Sequence, residues 1–142
     1  MDATPIVVEC TYNAPADKVW KAITNAEQMK QWYFDLPGFK PEVGYKFQFW
    51  GGDDTKQFLH LCEVKEVIEG RKLSHSWRYE GYPGNSLVTW ELFPDGNKTR
   101  VVLTHEGIET FEGDKYPELH RKNFVAGWTG FVEKQLKEFV EK

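Results

Sequence analysis

The stretch 118–142, ELHRKNFVAGWTGFVEKQLKEFVEK, decides the fold of this 142-residue chain. It contains no proline, and its apolar side chains recur every three or four residues, which is the period of one helix face. These side chains are Leu119, Phe124, Trp128, Phe131, Val132, Leu136, Phe139 and Val140. The spacing predicts a helix about 37 Å long, at 1.5 Å per residue. Gly127 and Gly130 each cost such a helix about 1 kcal/mol relative to alanine, so we expect them to allow a close approach of the sheet or a ligand.

Six segments ahead of this helix have the patterning of β-strands, with apolar and polar side chains in alternation. They are residues 6–12, 43–50, 57–68, 72–79, 86–94 and 99–106. Turn-forming residues follow or separate them, at 51–54, 69–70, 81–85 and 95–97. Turn chemistry this regular favours an antiparallel meander.

Two short helices are predicted between the first and second strands. Asn13 is a candidate N-cap for the first helix, with Pro15 in the first turn, where its missing N–H costs nothing. Asn25 and Gln28 have the spacing of a capping box for the second helix, which is predicted to end near Trp32.

These elements predict one α+β domain over residues 1–142. A curved antiparallel sheet of six to seven strands wraps around the long C-terminal helix, and the two short helices after strand one close the open end of the sheet. This architecture is a helix-grip.

Several local strings in this order resemble the START-like, or SRPBCC, superfamily, and within it the family of activator of heat-shock-protein-ninety ATPase homologues. The resemblance covers nearly the whole chain and is greatest for single-domain bacterial members. The strings are Asn13-Ala14-Pro15, Val19-Trp20, Trp32-Tyr33, Gly44 with Phe47 and Phe49, Leu73 with Trp77, Thr99-Arg100-Val101, Leu103-Thr104-His105-Glu106-Gly107 and Gly127-Trp128.

The resemblance implies a hydrophobic pocket between the sheet and the C-terminal helix, in which a small lipophilic or aromatic molecule such as a lipid binds. Strand phase and helix periodicity indicate which side chains would face that pocket. The candidate ligand-binding residues are Phe47, Phe49, Phe58, His60, His75, Trp77, Tyr79, Trp90, His105, Phe124, Trp128 and Phe131. A filled aromatic core is the alternative interpretation of the same pattern.

The histidines are the first candidates for polar chemistry inside the pocket. His60, His75 and His105 lie on three predicted strands, where a neutral imidazole facing inward could orient a ligand or accept a proton. The alternative is that each is a structural histidine bonded to the backbone or placed at the sheet rim.

Two further functions follow from the resemblance: a chaperone-associated or stress-response factor, and an enzyme similar to polyketide cyclases and aromatases. For the enzyme, alternation places Arg78, Glu91 and Arg100 on the outer face of the sheet, which leaves only His75 and Tyr79 as inward-facing polar groups. We therefore favour binding over catalysis, and no catalytic residue is assigned.

Composition narrows the range of partners. The formal charge of −4, with both signs interspersed, offers no basic surface for nucleic acid, and no run of residues is apolar enough to span a membrane. Neither a signal segment nor metal-ligand spacing is present, so we expect a cytoplasmic protein without a metal or other cofactor. The expected partners are a small hydrophobic or aromatic molecule or, under the alternative function, a chaperone. We expect a monomer or a weak dimer.

Overall fold

The computed structural model describes residues 3–52 and 56–142, and its main feature is one six-stranded antiparallel sheet with the spatial order β1-β6-β5-β4-β3-β2. The strands are β1 (Ile6–Tyr12), β2 (Lys46–Gly52), β3 (Gln57–Ile68), β4 (Lys72–Tyr79), β5 (Ser86–Asp95) and β6 (Lys98–Glu106). Two short helices, α1 (Ala16–Thr24) and α2 (Ala26–Trp32), follow β1. The predicted helix-grip architecture is confirmed.

The C-terminal helix, residues 121–140, packs against the concave face of the sheet. It consists of α3 (Arg121–Gly130), a π-helical turn (Phe131–Gln135) and α4 (Leu136–Val140). It begins three residues later than the sequence predicts, because Pro117–Leu119 forms a separate 3-10 turn and His120 takes the N-cap position. Another 3-10 turn, Ile108–Phe111, follows β6.

A hydrogen bond from the sheet explains the π-helical turn. The Tyr12 hydroxyl, fully buried at the end of β1, donates a 2.6 Å hydrogen bond to the Val132 carbonyl. A side chain that occupies a helix carbonyl in this way perturbs the local backbone hydrogen bonds. The Leu136 N–H correspondingly bonds to the Phe131 carbonyl, five residues back. This bond ties the second half of the helix to the first strand.

The helix N-termini show one correct and one wrong prediction. The Asn25 side chain accepts a hydrogen bond from the Gln28 N–H at 3.0 Å and caps α2 as expected. Asn13 does not cap α1, because the chain stays extended through Pro15, which is the N-cap residue itself. The residue ahead of a proline is restricted to extended conformations, but here the proline too has an extended ψ of 158°.

The second strand is shifted toward the C-terminus from its predicted range of 43–50. Gly44 has a φ of 91°, which is left-handed and therefore incompatible with a regular strand, so the strand begins at Lys46. Gly44 and Tyr45 still form backbone hydrogen bonds with Val64 of β3. At the other end, Gly51 and Gly52 belong to the strand rather than to the predicted turn. The remainder of that turn, Asp53 and Asp54, lies outside the described residues.

The two faces of the sheet differ in chemistry as the alternation predicts. Arg78 and Arg100 lie exposed on the outer face, and the Arg100 guanidinium is 3.4 Å from the Glu9 carboxylate on the neighbouring strand. The inner face carries the aromatic side chains that meet the C-terminal helix. No helix within residues 3–52 and 56–142 is both long and apolar enough to cross a membrane.

Candidate functional site

A cavity of about 430 Å³ lies between the sheet and the first half of the C-terminal helix. Most of its wall is aromatic, and its polar lining groups are few. Its lining residues are Phe34, Gly51, Gly52, Phe58, His60, Trp77, Tyr79, Glu118, Leu119, Asn123, Phe124, Gly127, Trp128 and Phe131. We use the word rim for the four exposed members of this set, Gly52, Glu118, Asn123 and Gly127. The rim is the side on which the cavity opens to solvent.

A cluster of five aromatic rings fills the interior on the other side of the cavity. This aromatic plug consists of Trp32, Tyr33, Trp90, Trp128 and Phe131. Its ring centroids are 4.8 to 6.5 Å apart, the range in which edge-to-face and stacked pairs are attractive. Trp128 also meets Trp77 of β4 at 5.5 Å, so helix and sheet are in direct contact there. The interior is therefore filled in one half and hollow in the other.

Beyond the plug lies a crevice of about 10 Å³, which is enough for one water molecule at most. It lies among α2, the loop after it and β4, and includes Tyr33 and His75 in its wall. The Tyr33 hydroxyl is buried and forms no hydrogen bond with any described residue. Burial raises its pKa well above the usual range, so it stays protonated.

A family model, Activator of Hsp90 ATPase homolog 1-like protein, matches residues 13–141. The chain belongs to this family. Solved structures agree in fold. Protein MLL2253 from Mesorhizobium loti is 26% identical, matches over 96% of both chains and has a TM-score of 0.79. No curated protein matches the chain significantly.

Two further relatives are similar at the level of the fold. CalU16 from Micromonospora echinospora is 23% identical over 96% of this chain and 73% of its own, with a TM-score of 0.73. DynU16, from the dynemicin biosynthetic locus, is 24% identical over 100% of this chain but only 48% of its own, with a TM-score of 0.79. This family member thus has the START-like fold, in which the cavity lies between sheet and helix.

The structure divides the twelve candidate residues into three groups. Those that line the cavity are Phe58, His60, Trp77, Tyr79, Phe124, Trp128 and Phe131. Phe47, His75 and Trp90 line the small crevice on the other side of the aromatic plug. Phe49 and His105 line neither space, because Phe49 is covered by the Phe34 ring at 4.4 Å and His105 is enclosed between sheet and helix.

The lining residues that the sequence pattern missed have different origins. Phe34 follows α2 in an irregular segment, where no periodicity indicates the direction of a side chain. Asn123 lies one helical turn before Gly127, where the sequence predicted a close approach of the sheet or a ligand, and Phe131 lies one turn after it. This i, i+4 relation was the available signal for Asn123. The residues of a cavity rim are polar or small, so a pattern of apolar positions does not identify them.

His60 is one of the polar side chains that line the cavity. Its Nδ1 lies 3.0 Å from the Phe58 carbonyl, which can only accept, so Nδ1 carries the proton and Nε2 has the lone pair. Burial lowers the pKa of His60 to about 4, although interactions with the backbone of Phe58 and of Phe49 act in the opposite direction. The imidazole is therefore neutral at pH 7.

His105 forms the centre of a hydrogen-bonded relay that joins helix and sheet. Trp128 Nε1 donates to His105 Nδ1 at 2.9 Å, and His105 Nε2 therefore donates to the Ser86 hydroxyl at 2.7 Å. The Ser86 hydroxyl in turn donates to the Trp77 carbonyl at 2.8 Å. Both ring nitrogens are occupied, and burial lowers the pKa of His105 to about 3. This histidine fixes the Trp128 ring in the cavity wall and has no free nitrogen for a ligand.

His75 and Tyr79, the two candidates for proton transfer, do not share a space. The His75 Nδ1 lies 3.0 Å from the Ser76 carbonyl, and burial lowers its pKa to about 4. Tyr79 lines the cavity, and its hydroxyl accepts a 2.8 Å hydrogen bond from Trp77 Nε1. Burial raises the pKa of Tyr79, so the phenol stays protonated.

The rim carries the charged groups of the site. Glu118 is paired with Lys56 at 3.8 Å, and both side chains are more than a third exposed. The Asn123 amide donates to the carbonyls of Pro117 and Glu118 at 3.1 Å, which fixes the rim to the start of the helix. Gly51 and Gly52 line the cavity, residues 81–85 and 107–116 do not, and residues 53–55 lie outside the described part. Within that described part no cluster of His, Cys, Asp or Glu side chains could hold a metal ion.

Proposed function

We propose that the protein binds a small lipophilic or aromatic molecule in the cavity between the sheet and the C-terminal helix. The observation that carries this proposal is an aromatic cavity of about 430 Å³ that opens at a polar rim. Ligand pockets for small molecules have volumes of about 300–1,000 Å³, with a mostly apolar wall and few polar groups. The cavity has this size and this chemistry.

The driving force is the burial of apolar surface. A ligand that buries about 200 Å² of apolar area gains about 5 kcal/mol at ~25 cal/mol per Å², before the entropic costs of association. Micromolar affinity corresponds to about 8 kcal/mol, so contact with the aromatic walls and a small number of hydrogen bonds must supply the rest.

A cyclase-like reaction receives less support than binding. It would require polar groups that converge on one bound molecule, whereas Tyr79 faces the cavity and His75 faces the crevice beyond the aromatic plug. His60, the histidine at the cavity, is a weak base because burial lowers its pKa to about 4. DynU16 comes from a biosynthetic locus, and its fold is compatible with binding of a biosynthetic intermediate as much as with a reaction.

Two-dimensional NMR of the indole N–H groups tests the proposal at the level of single residues. The neutral dye N-phenyl-1-naphthylamine is the probe, and its fluorescence gives the affinity. We expect saturable binding that shifts the indole signals of Trp77 and Trp128, which line the cavity. The signal of Trp50, which is 63% exposed on the outer face of β2, serves as the internal control and should not move.

Assignment of the indole signals follows from single substitutions to phenylalanine at the three positions. Binding that shifts Trp50 but neither Trp77 nor Trp128 would place the dye on the outer surface and contradict the proposal. Absence of saturable binding by this dye and by a panel of neutral lipids would contradict it as well.

A further inference from the structure

Two polar groups stand side by side on the sheet wall of the cavity. His60 of β3 and Tyr79 of β4 are direct partners in the antiparallel register, and their ring centroids are 4.7 Å apart. Both residues are buried, with exposures of 5% and 4%, and both line the cavity. A bound molecule that touches one of them can reach the other.

The hydrogen-bonding roles of the two groups are fixed by their neighbours. His60 uses its Nδ1 proton on the Phe58 carbonyl, which leaves the Nε2 lone pair as an acceptor. The Tyr79 oxygen accepts from Trp77 Nε1, and no described residue takes the Tyr79 proton, which leaves the phenol as a donor. The wall therefore presents one donor next to one acceptor.

Among the described residues that line the cavity, none carries a positive charge. Glu118 is the one charged residue that lines it among the described residues, and it lies at the rim with Lys56 as its partner. A carboxylate pressed against His60 and Tyr79 would be removed from water, could accept a bond from the phenol, and would face the imidazole lone pair. Such a desolvated anion without a cation is strongly disfavoured.

We propose that the sheet wall selects an uncharged ligand group in which an acceptor and a donor are adjacent, such as a carboxamide or a lactam, and rejects a carboxylate of the same shape. The ligand carbonyl accepts from the Tyr79 hydroxyl, and the ligand N–H donates to His60 Nε2. This inference rests on the proposed function, since it specifies the polar end of the ligand that the cavity binds.

Three probes of one ring system separate these contributions with unmodified protein: 2-naphthamide, 2-naphthoate and naphthalene. The amide and the carboxylate have the same shape, and naphthalene lacks the polar group. By isothermal titration at neutral pH we expect the amide to bind at least about tenfold more tightly than the carboxylate and about fivefold more tightly than naphthalene.

A matched pair of tyrosine substitutions tests the role of the wall. Tyr79→Phe should weaken binding of the amide about five- to tenfold and leave the affinity for naphthalene within about twofold. Tyr12→Phe also removes one buried phenol, but from a bond to the helix that is not part of the cavity wall. It should leave all three affinities unchanged.

The possible outcomes distinguish the inference from the function beneath it. If naphthalene binds and the carboxylate binds as tightly as the amide, the inference is overturned while the proposed function stands. Equal loss of amide and naphthalene affinity in Tyr79→Phe, with native-like spectra, would likewise overturn it. If none of the three probes binds, both the inference and the proposed function fail.

Discussion

Gly127 offers a substitution that should raise stability and lower ligand affinity at the same time. It lies within α3, where its backbone has ordinary helical geometry, and it belongs to the exposed rim of the cavity. Asn123 and Phe131, one turn away on either side, also line the cavity, so a side chain at 127 projects from the same face. A Cβ at this position would have open space around it, with no atom within 4 Å other than those of its own helix backbone and chain neighbours.

The two effects can be estimated separately. Replacement of a helix-interior glycine by alanine or leucine stabilises the helix by about 1 kcal/mol. For a chain of this length that gain corresponds to a rise of about 3 °C in the midpoint of thermal unfolding. In Gly127→Leu four carbon atoms also enter the open space at the rim. We expect the affinity for N-phenyl-1-naphthylamine to fall at least about tenfold, or about 1.4 kcal/mol.

Gly130→Ala is the matched control. Gly130 lies in the same helix with the same backbone geometry, but it does not line the cavity, and a Cβ there would meet only the Gln135 side chain at 3.8 Å. It should raise the unfolding midpoint by a similar amount without any change in affinity. Differential scanning calorimetry and dye titration on the three proteins provide both readouts. Unchanged affinity in a stabilised Gly127→Leu protein would refute the assignment of this rim to the binding site.

Three further predictions concern the fold around the site. Burial lowers the pKa of three histidines below the value of about 6.5 that they have in the unfolded chain. They are His60, His75 and His105. As the pH falls below about 6.5, these histidines take up protons in the unfolded chain before they do so in the folded protein. The free energy of unfolding is therefore highest above about pH 6.5 and decreases toward about pH 4, by up to ~1.4 kcal/mol per pH unit for each histidine. Urea denaturation across this range checks it, and a flat profile down to about pH 5 contradicts it. Tyr12→Phe removes the bond to Val132 and should lower the free energy of unfolding by about 1–2 kcal/mol in the same assay, whereas a loss below about 0.5 kcal/mol would assign that bond no structural weight. Gly84→Ala should lower the thermal midpoint by several degrees, since Gly84 has a φ of 100° and a Cβ would lie 2.5 Å from the Thr110 carbonyl oxygen; an unchanged midpoint would show that the loop relaxes without cost.

The alternation of side chains predicted the sheet well because each strand has one buried face. The bounds of the strands Ile6–Tyr12, Gln57–Ile68 and Lys72–Tyr79 agree with the structure to the residue. The same alternation places His60 and Trp77 on the inner face. Period-two burial is a local property of the chain, and so the sequence alone reveals it.

The alternation of side chains could not predict that one half of the interior is filled and the other half is hollow. Whether the aromatic side chains fill the space or enclose a cavity depends on where α2 docks, since Trp32 and Tyr33 complete the aromatic plug against Trp90. Docking of a short helix is a tertiary event without a periodic signature. The filled core and the hollow pocket, which the sequence left as alternatives, occur together on the two sides of Trp128.

Within the described residues, two buried hydrogen bonds tie the C-terminal helix to the sheet and limit how far the helix can lift from it. Tyr12 holds the helix at Val132, and the relay from His105 holds it at Trp128. Both are buried hydrogen bonds whose loss would leave polar groups unsatisfied, so neither opens cheaply. The helix residues that line the cavity lie between Asn123 and Phe131. A ligand too large for the present space therefore extends past the exposed rim at Asn123 and Gly127 rather than lifting the whole helix from the sheet.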